Sequence, residues 1–278
     1  MMRLLALSIV VCVGATAANA QSILFLNKSA GFEHSPVKLK DGKTYAGNVI
    51  QQLCDNYGVS FTETKNGSDI NAENLKKYDL VMMYTSGDLT QESKDGGDAM
   101  GPNGQAELVE WVKNGGALMA FHSTTDTFHT PPGGEVTPFL KMLGAEFVSH
   151  GRQFVGTVKL VDSSHPAIAS IPDGWKTKEE WYLFKNFNKD KMRVLALLDP
   201  GEERAKQEIY DIPSYPIIWV SQCGEGKVYF SALGHGEEMW DKDIFQQSIV
   251  DAATWLLDDA SSPMDVEPNY DKVVPKEK

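Results

Sequence analysis

The stretch of sequence that decides the fold reads Gly115-Gly116-Ala117-Leu118-Met119-Ala120-Phe121-His122-Ser123-Thr124-Thr125-Asp126-Thr127-Phe128-His129. The glycine pair predicts the end of a helix, and the apolar residues after it predict a buried parallel strand. His122 comes where this strand should stop. Because ligands of open α/β sheets bind beyond the carboxyl ends of the strands, the stretch predicts His122 at the functional edge of such a sheet.

Strands and amphipathic helices alternate from the beginning of the chain to His122. The predicted strands cover residues 22–27, 59–64, 80–84 and 117–121. The predicted helices cover residues 45–57, a short polar segment from 71, and a segment from 103 or 104 to the glycine pair. Residues 91–104 are rich in glycine and charge and predict a mobile loop. The β-α-β-α-β-α-β order predicts an α/β fold with a doubly wound, mainly parallel, flavodoxin-like sheet.

The second half of the chain has longer strands with more alternating hydrophobicity. After a helix over residues 136–143, the predicted strands cover residues 154–161, 178–184, 194–198, 216–222 and 227–233. The segment 223–226 predicts a hairpin, and residues 243–257 predict a closing helix. We therefore expect antiparallel strands added to the sheet, or a flanking sheet.

The N-terminus has the features of a secretory signal peptide. Arg3 precedes an apolar run over residues 4–13, and Ala18-Asn19-Ala20 fits a cleavage site. The run is too short to span a bilayer. Residues 1–20 are thus predicted to be removed, leaving a periplasmic or secreted chain from about Gln21 with no membrane anchor. The polar, proline-containing residues 260–278 predict a C-terminal tail.

The composition points to a small-molecule partner. The chain has 38 acidic and 26 basic residues, a net charge of −12, which argues against nucleic acid or an anionic membrane. The cysteines of the mature chain, Cys54 and Cys223, are expected to be free thiols.

Histidines cluster at predicted strand ends. His34 follows the first strand, His122 the fourth and His235 the last, while His150 follows the helix after His122. Histidine is both a proton shuttle near neutral pH and the commonest metal ligand. These four are predicted to hold a divalent metal such as zinc, with His34, His122 and His235 as candidate catalytic residues. His165 resembles a helix start and is interpreted as structural.

An acidic motif, Glu179-Glu180-Trp181-Tyr182, lies on a predicted strand. Alternation places Glu180 and Tyr182 on one face, and Glu179 and Trp181 on the other. If the first pair faces the cleft, Glu180 could act as a general base, a hydroxyl acceptor or a metal ligand.

Other side chains are candidates for substrate binding. Aromatic rings stack on sugars, although core packing is the commoner fate of any one of them. The predicted substrate-binding residues are Asp126, His129, His150, Arg152, Tyr182, Trp219 and Trp240.

Several familiar site motifs are absent from the sequence. It has no Gly-x-Gly-x-x-Gly after the first strand and no Gly-x-x-x-x-Gly-Lys-Ser/Thr, so no nucleotide cofactor is expected. It also has no His-Glu-x-x-His and no Gly-x-Ser-x-Gly.

These motifs, taken in order, resemble those of ThuA-like (trehalose utilisation) proteins from about residue 22 to 257. The motifs are Lys28-Ser29-Ala30-Gly31-Phe32-Glu33-His34, residues 115–128 with His122 and Asp126, His165-Pro166, Glu179-Glu180-Trp181-Tyr182, Pro216-Ile217-Ile218-Trp219 and Gly226 to His235. The sequence departs from the family at Glu179, usually aspartate, and at Tyr215, often histidine.

The resemblance implies a single domain over residues 21–259 with a class I glutamine amidotransferase-like fold. Glutaminases of that superfamily carry a cysteine where this chain has His122, so it is not expected to be a glutaminase. The family is associated with disaccharide catabolism, in which 3-keto-glycosides made by partner dehydrogenases are plausible substrates.

We therefore predict an exported enzyme that acts on glycosides or 3-keto-glycosides by elimination, isomerisation or hydrolysis. A ketone at C3 acidifies the neighbouring C–H, and Glu180 or His122 is the expected base. The alternatives are a non-catalytic periplasmic sugar-binding protein and a metal-dependent hydrolase of another small substrate.

Overall fold

A computed structural model describes residues 21–258 and 263–275. The predicted signal peptide, residues 1–20, lies outside the described residues. The strands are β1 (Ser22–Leu26), β2 (Ser60–Thr64), β3 (Leu80–Met83), β4 (Ala117–Phe121), β5 (Glu146–His150), β6 (Phe154–Leu160), β7 (Trp175–Glu179), β8 (Tyr182–Lys185), β9 (Met192–Asp199), β10 (Tyr215–Cys223) and β11 (Gly226–Ser231). The α-helices are α1 (Tyr45–Tyr57), α2 (Ala72–Leu75), α3 (Gly104–Lys113), α4 (Pro138–Leu143), α5 (Glu237–Trp240), α6 (Asp243–Leu256) and α7 (Tyr270–Val273).

The strands form a nine-stranded sheet in the order β2-β1-β3-β4-β11-β10-β9-β6-β7, and β5 pairs with β8 in a separate two-stranded sheet. Strands β2, β1, β3, β4 and β11 run parallel, and the pairs from β11 to β7 are antiparallel. The predicted α/β fold class is confirmed. Both expected additions occur, since antiparallel strands extend the sheet and a second sheet flanks it.

The parallel part is doubly wound. Helices α1 and α6 contact each other on one face of the sheet, and α2, α3 and α4 form a chain of contacts on the other. Because β1 lies between β2 and β3, the strand order reverses at β1 and opens a crevice beyond the carboxyl ends of β1 and β3. The loops after β1, β3, β4 and β11 meet at this edge.

The loop expected to be mobile, residues 91–104, is tied to the parallel strands by buried charges. The Asp95 carboxylate, 7% exposed as a residue, lies 3.5 Å from the Lys28 ammonium and 3.8 Å from that of Lys65. It also accepts hydrogen bonds from the N–H groups of Ser29 (2.6 Å) and Gly97 (3.1 Å). The loop is therefore fastened to the segment that leads from β1 to His34.

The expected single strand over residues 178–184 is wrong, because the chain leaves one sheet and enters the other within it. β7 ends at Glu179 in the large sheet, and Tyr182 begins β8, where it pairs with His150 of β5. Between them, the Trp181 indole N–H donates to the Phe154 carbonyl (3.1 Å), which turns the chain inward. Glu180 lies at this corner.

Part of the predicted tail packs on the antiparallel strands. Asn269 brackets the backbone of β9: its Oδ1 accepts from the Val194 N–H (2.7 Å) and its Nδ2 donates to the Val194 carbonyl (3.0 Å). Tyr270 is buried to 9% exposure. Within residues 21–258 and 263–275, no helix combines the length and hydrophobicity needed to cross a bilayer.

Candidate active site

Three imidazoles and one carboxylate converge at the crevice edge of the sheet. His34 lies in the loop after β1, His122 directly follows β4, His235 lies between β11 and α5, and Glu180 lies between β7 and β8. One donor atom from each side chain falls within 4.8 Å of the other three. We call this group the His–Glu cluster.

Glu180 is the centre of the His–Glu cluster. Its Oε2 lies 3.1 Å from His235 Nδ1, 3.7 Å from His122 Nε2 and 3.9 Å from His34 Nε2. His122 Nε2 and His235 Nδ1 are themselves 3.3 Å apart. The Glu180 side chain is 13% exposed, so the cluster opens to solvent by a narrow mouth.

His122 occupies a strained elbow. Its backbone has a φ of 41°, a left-handed value that is rare outside glycine and costs on the order of 1–3 kcal/mol. Its Nδ1 lies 2.9 Å from the Ala232 carbonyl, which can only accept, so Nδ1 carries the proton and Nε2 presents a lone pair to the cluster. Full burial lowers the pKa of His122 to about 3, which keeps the ring neutral. Cys223 lies at the opposite edge of the sheet, where it pairs with Gly226.

The ionisation states in the cluster follow from burial and from the mutual contacts. Burial alone would raise the pKa of Glu180, but its contacts with His122, His235 and His34 outweigh the effect of burial, and the net pKa of Glu180 is strongly lowered. Burial lowers the pKa of His34. It opposes the charge on His235 as well, yet contact with Glu180 raises the pKa of His235 overall. The centre is thus a carboxylate among imidazoles with different proton affinities.

Glu179, next to the cluster, holds backbone rather than ligand atoms. Its carboxylate accepts hydrogen bonds from the N–H groups of Gly234 (2.9 Å), His235 (3.3 Å) and Glu180 (2.8 Å). It is 3% exposed, and this burial raises the pKa of Glu179 to about 7. The two adjacent glutamates therefore have different roles. Glu180 faces the histidines, and Glu179 fixes the loop that carries His235.

The mouth of the cluster is lined from the two-stranded sheet. The Tyr182 hydroxyl lies 3.3 Å from His34 Nε2. The His150 ring stacks on Tyr182 with an interplanar angle of 14°, and its Nδ1 is 3.2 Å from Glu180 Oε1. His150 is thus outside the group of four converging donors and contacts the other oxygen of Glu180. Its side chain is 40% exposed.

Asp126 and His129 join a polar network beside β5. His129 Nε2 lies 2.5 Å from Asp126 Oδ1, and its Nδ1 lies 2.9 Å from Glu146 Oε1. The hydrogen bond to Asp126 is the main cause of the raised pKa of His129. Glu146 is fully buried and also accepts from Thr130 and Asn186.

Three expected substrate-binding residues make their contacts with residues outside the His–Glu cluster. Trp219 and Trp240 are fully buried and donate their indole N–H to the carbonyls of Leu143 (2.8 Å) and Gly234 (3.0 Å). As core residues they present no face to a ligand. The Arg152 side chain is exposed, and its backbone N–H donates to Gln207 (2.9 Å).

Residues that the sequence analysis did not single out also reach this edge. Tyr84 follows β3, is fully buried, and donates its hydroxyl to the Gly234 carbonyl (3.0 Å). Phe32 packs against His34 with ring centroids 4.8 Å apart. Both follow parallel strands, so the rule that located His34 and His122 could have located them too. Nothing in the sequence indicated that Glu146 lies near the site, because β5, the strand that it begins, was not predicted.

The donor set of the cluster suits a metal ion. Imidazole nitrogens combined with one carboxylate oxygen are typical ligands of divalent transition metals. The bond from His122 Nδ1 to a backbone carbonyl is the outer contact that fixes the tautomer of metal-binding histidines. The His–Glu cluster could therefore hold a metal through His34, His122, His235 and Glu180.

Comparisons with known proteins fit this architecture. Among solved structures, a ThuA-like protein from Bacteroides uniformis superposes with a TM-score of 0.64 at 20% identity, over 87% of this chain and 94% of that one. A ThuA-like protein from Parabacteroides merdae gives 0.61 at 17% identity, over 90% and 95%. A cytoplasmic protein from Salmonella typhimurium gives 0.52 at 12% identity, over 84% and 98%.

At these identities the similarity shows the fold alone. No curated protein matches the chain significantly. The family model described as "ThuA: Trehalose utilisation" matches residues 22–256, a span that runs from β1 through α6 and includes every member of the His–Glu cluster. This chain therefore belongs to the ThuA, or trehalose utilisation, family.

Proposed function

We propose that this chain is an exported enzyme of disaccharide catabolism that cleaves 3-keto-glycosides by elimination at the His–Glu cluster. The observation that carries the proposal is the convergence of His34, His122, His235 and Glu180 at the carboxyl edge of the sheet. A strained backbone at His122 and a nearly buried carboxylate are costly features, and such features concentrate at sites of chemistry. Family membership supports carbohydrate as the substrate class.

In this proposal the four cluster residues hold a divalent transition metal such as zinc. When bound, the ion acts as a Lewis acid that polarises a substrate carbonyl. The lowered pKa of Glu180 and the neutral state of His122 keep both residues in the form that binds a cation.

In the proposed reaction His150, rather than Glu180 or His122, accepts the proton. Glu180 is a weak base because its pKa is lowered, and His122 is fully buried. His150 Nδ1 lies near two acceptors, Glu180 Oε1 (3.2 Å) and the Gly151 carbonyl (3.0 Å), so Nδ1 carries the proton and Nε2 is free. The contact between Nδ1 and the Glu180 carboxylate orients the His150 ring.

The proposed reaction needs no oxidant or reductant. A ketone at C3 acidifies the C2–H bond, and His150 removes that proton. The electron pair forms a C1–C2 double bond while the C1–O bond to the leaving group breaks. The leaving oxygen takes up a proton, so the products are a free alcohol or sugar and an unsaturated keto-sugar.

A proton-NMR time course tests this proposal. The protein is incubated with glycosides and with their 3-keto forms, before and after chelation and metal return. We expect consumption of the 3-keto-glycosides alone, loss of the C2 proton signal, and activity that chelator removes and metal restores. His150→Gln should lower turnover while retaining the metal.

Two other outcomes identify the alternative functions. Unchanged sugars whose signals broaden on binding would indicate a sugar-binding protein. Metal-dependent hydrolysis of unmodified glycosides or of a non-sugar ester would indicate a hydrolase and overturn the elimination.

A further inference from the structure

Phe32 is an exposed aromatic residue at the edge of the His–Glu cluster. It is 67% exposed. The other large apolar side chains that the structure shows as exposed are Leu39, Tyr57, Val148 and Val155. Single exposed apolar residues are ordinary on a protein surface, so exposure alone assigns nothing. Phe32 differs because of what it touches and how it is held.

The Phe32 ring lies next to the cluster. It packs against the His34 ring in a T-shaped arrangement, with centroids 4.8 Å apart. The His34 ring in turn lies 4.9 Å from the His122 ring and 5.3 Å from the His235 ring. A ligand that reaches the imidazoles through the mouth therefore has Phe32 as a near apolar neighbour.

The backbone that presents Phe32 is fixed. The Ser86 carbonyl accepts from the N–H groups of Ala30 (2.9 Å) and Gly31 (3.0 Å). The Ser86 hydroxyl donates to the Phe32 carbonyl (2.7 Å). Gly31 crosses Gly87 so closely that a Cβ on Gly87 would lie 2.4 Å from the Gly31 nitrogen. The segment that carries Phe32 is hydrogen-bonded to the loop after β3. The exposure of the ring therefore does not come from a mobile loop.

Sugar recognition needs such a surface. Pyranose rings have an apolar C–H face that packs on aromatic rings, while their hydroxyls need polar partners. The tryptophans expected to supply aromatic faces, Trp219 and Trp240, are buried. Phe32 beside His34 supplies the exposed face that they do not.

We infer that Phe32 is the platform on which the leaving-group sugar of a disaccharide substrate stacks. This inference rests on the proposed function. The reacting ring lies at the His–Glu cluster, and the second ring stacks on Phe32. The stacking is made before and during bond cleavage alike, so it lowers KM and leaves kcat unchanged.

Steady-state kinetics on two substrates test the inference. Wild type, Phe32→Ala and Phe32→Trp are compared on a 3-keto-disaccharide and on the corresponding 3-keto methyl glycoside, which has no second ring. For Phe32→Ala we expect a KM about tenfold higher on the disaccharide, less than about twofold higher on the methyl glycoside, and an unchanged kcat. Phe32→Trp should restore the low KM.

Tyr57→Ala is the matched control, because Tyr57 is an aromatic residue of similar exposure (61%) at the C-terminal end of α1, away from the cluster. It should leave both KM values unchanged. Equal effects of Phe32→Ala on the two substrates, or no effect, would overturn the platform while leaving the elimination intact. A wild type that neither converts nor binds either 3-keto sugar would overturn the proposed function and the platform together.

Discussion

The parallel and antiparallel halves of the sheet build the site in different ways. Three cluster residues, His34, His122 and His235, come from loops that leave parallel strands at one edge. In the antiparallel half, Glu180 reaches the same point only because the chain leaves the large sheet after β7 and enters the two-stranded sheet at β8. The loops after parallel strands meet at one edge because all these strands point the same way. The antiparallel half contributes Glu180 only through the corner between β7 and β8. We therefore expect the two halves to respond differently to substitution.

The largest effect should follow from Asp95→Asn, which removes the buried ion pairs of Asp95 with Lys28 and Lys65 in the parallel half. This change leaves the buried ammonium groups of Lys28 and Lys65 without their shared carboxylate, and breaking a buried ion pair costs about 3–5 kcal/mol. Urea denaturation should show that loss in the free energy of unfolding. Asp98→Asn, an exposed position in the same loop, should stay within about 0.5 kcal/mol of wild type. Equal stabilities of the two variants would mean that the buried charges do not fasten the loop.

Glu180→Gln tests the antiparallel contribution. The amide keeps the shape but removes the charge that the three imidazoles surround, so under the proposed function we expect loss of metal binding and a fall in turnover of more than about a hundredfold. Metal content and turnover are the measurements, and Glu225→Gln, an exposed hairpin position, is the control. A metal-loaded, active Glu180→Gln protein would remove Glu180 from the site.

The pH dependence of stability tests the network beside β5. Burial alone would raise the pKa of Glu146, but hydrogen bonds from Thr130, His129 and Asn186 lower it to about 2. Because this pKa lies below the ordinary 4.5, the network stabilises the fold above pH 4.5 and loses that contribution as the pH falls toward 2. Urea denaturation between pH 7 and 3 should show the stability of wild type falling by about 2 kcal/mol more than that of Glu146→Gln.

Glu135→Gln is the control for this series, because its side chain is 94% exposed. It should follow the wild-type pH profile. A Glu146→Gln protein with the same profile would show that the network makes no pH-dependent contribution.

The smallest effect concerns the C-terminal segment on the antiparallel half. Asn269→Ala removes both hydrogen bonds to Val194 and should lower the free energy of unfolding by about 1–2 kcal/mol. Hydrogen exchange should show faster exchange of the Val194 amide. Lys272→Ala, whose side chain is 72% exposed, should leave both measurements unchanged. An unprotected Val194 amide in wild type would mean that the segment does not pack there in solution.

The sequence predicted what depends on local pattern and on parallel topology. The positions of β1 to β4, and of the histidines that follow β1, β4 and β11, come from apolar runs that end in polar loops. The change of sheet at Glu180 was not predicted, because it depends on contacts with residues distant in sequence, such as the hydrogen bond from the Trp181 indole to the Phe154 carbonyl. The prediction that Trp219 and Trp240 bind substrate failed because nothing local distinguishes an aromatic residue of the core from one that binds sugar.

The position of β11 has a consequence for how a newly made chain acquires its site. β11 is the last of the described strands in the sequence but lies in the middle of the sheet, between β4 and β10. Domains fold from the N-terminus as synthesis or translocation proceeds, and contacts between distant residues form slowly. The sheet cannot close, and His235 cannot meet His122, until nearly the whole chain has emerged. Incomplete chains therefore lack the His–Glu cluster, which assembles only late in folding.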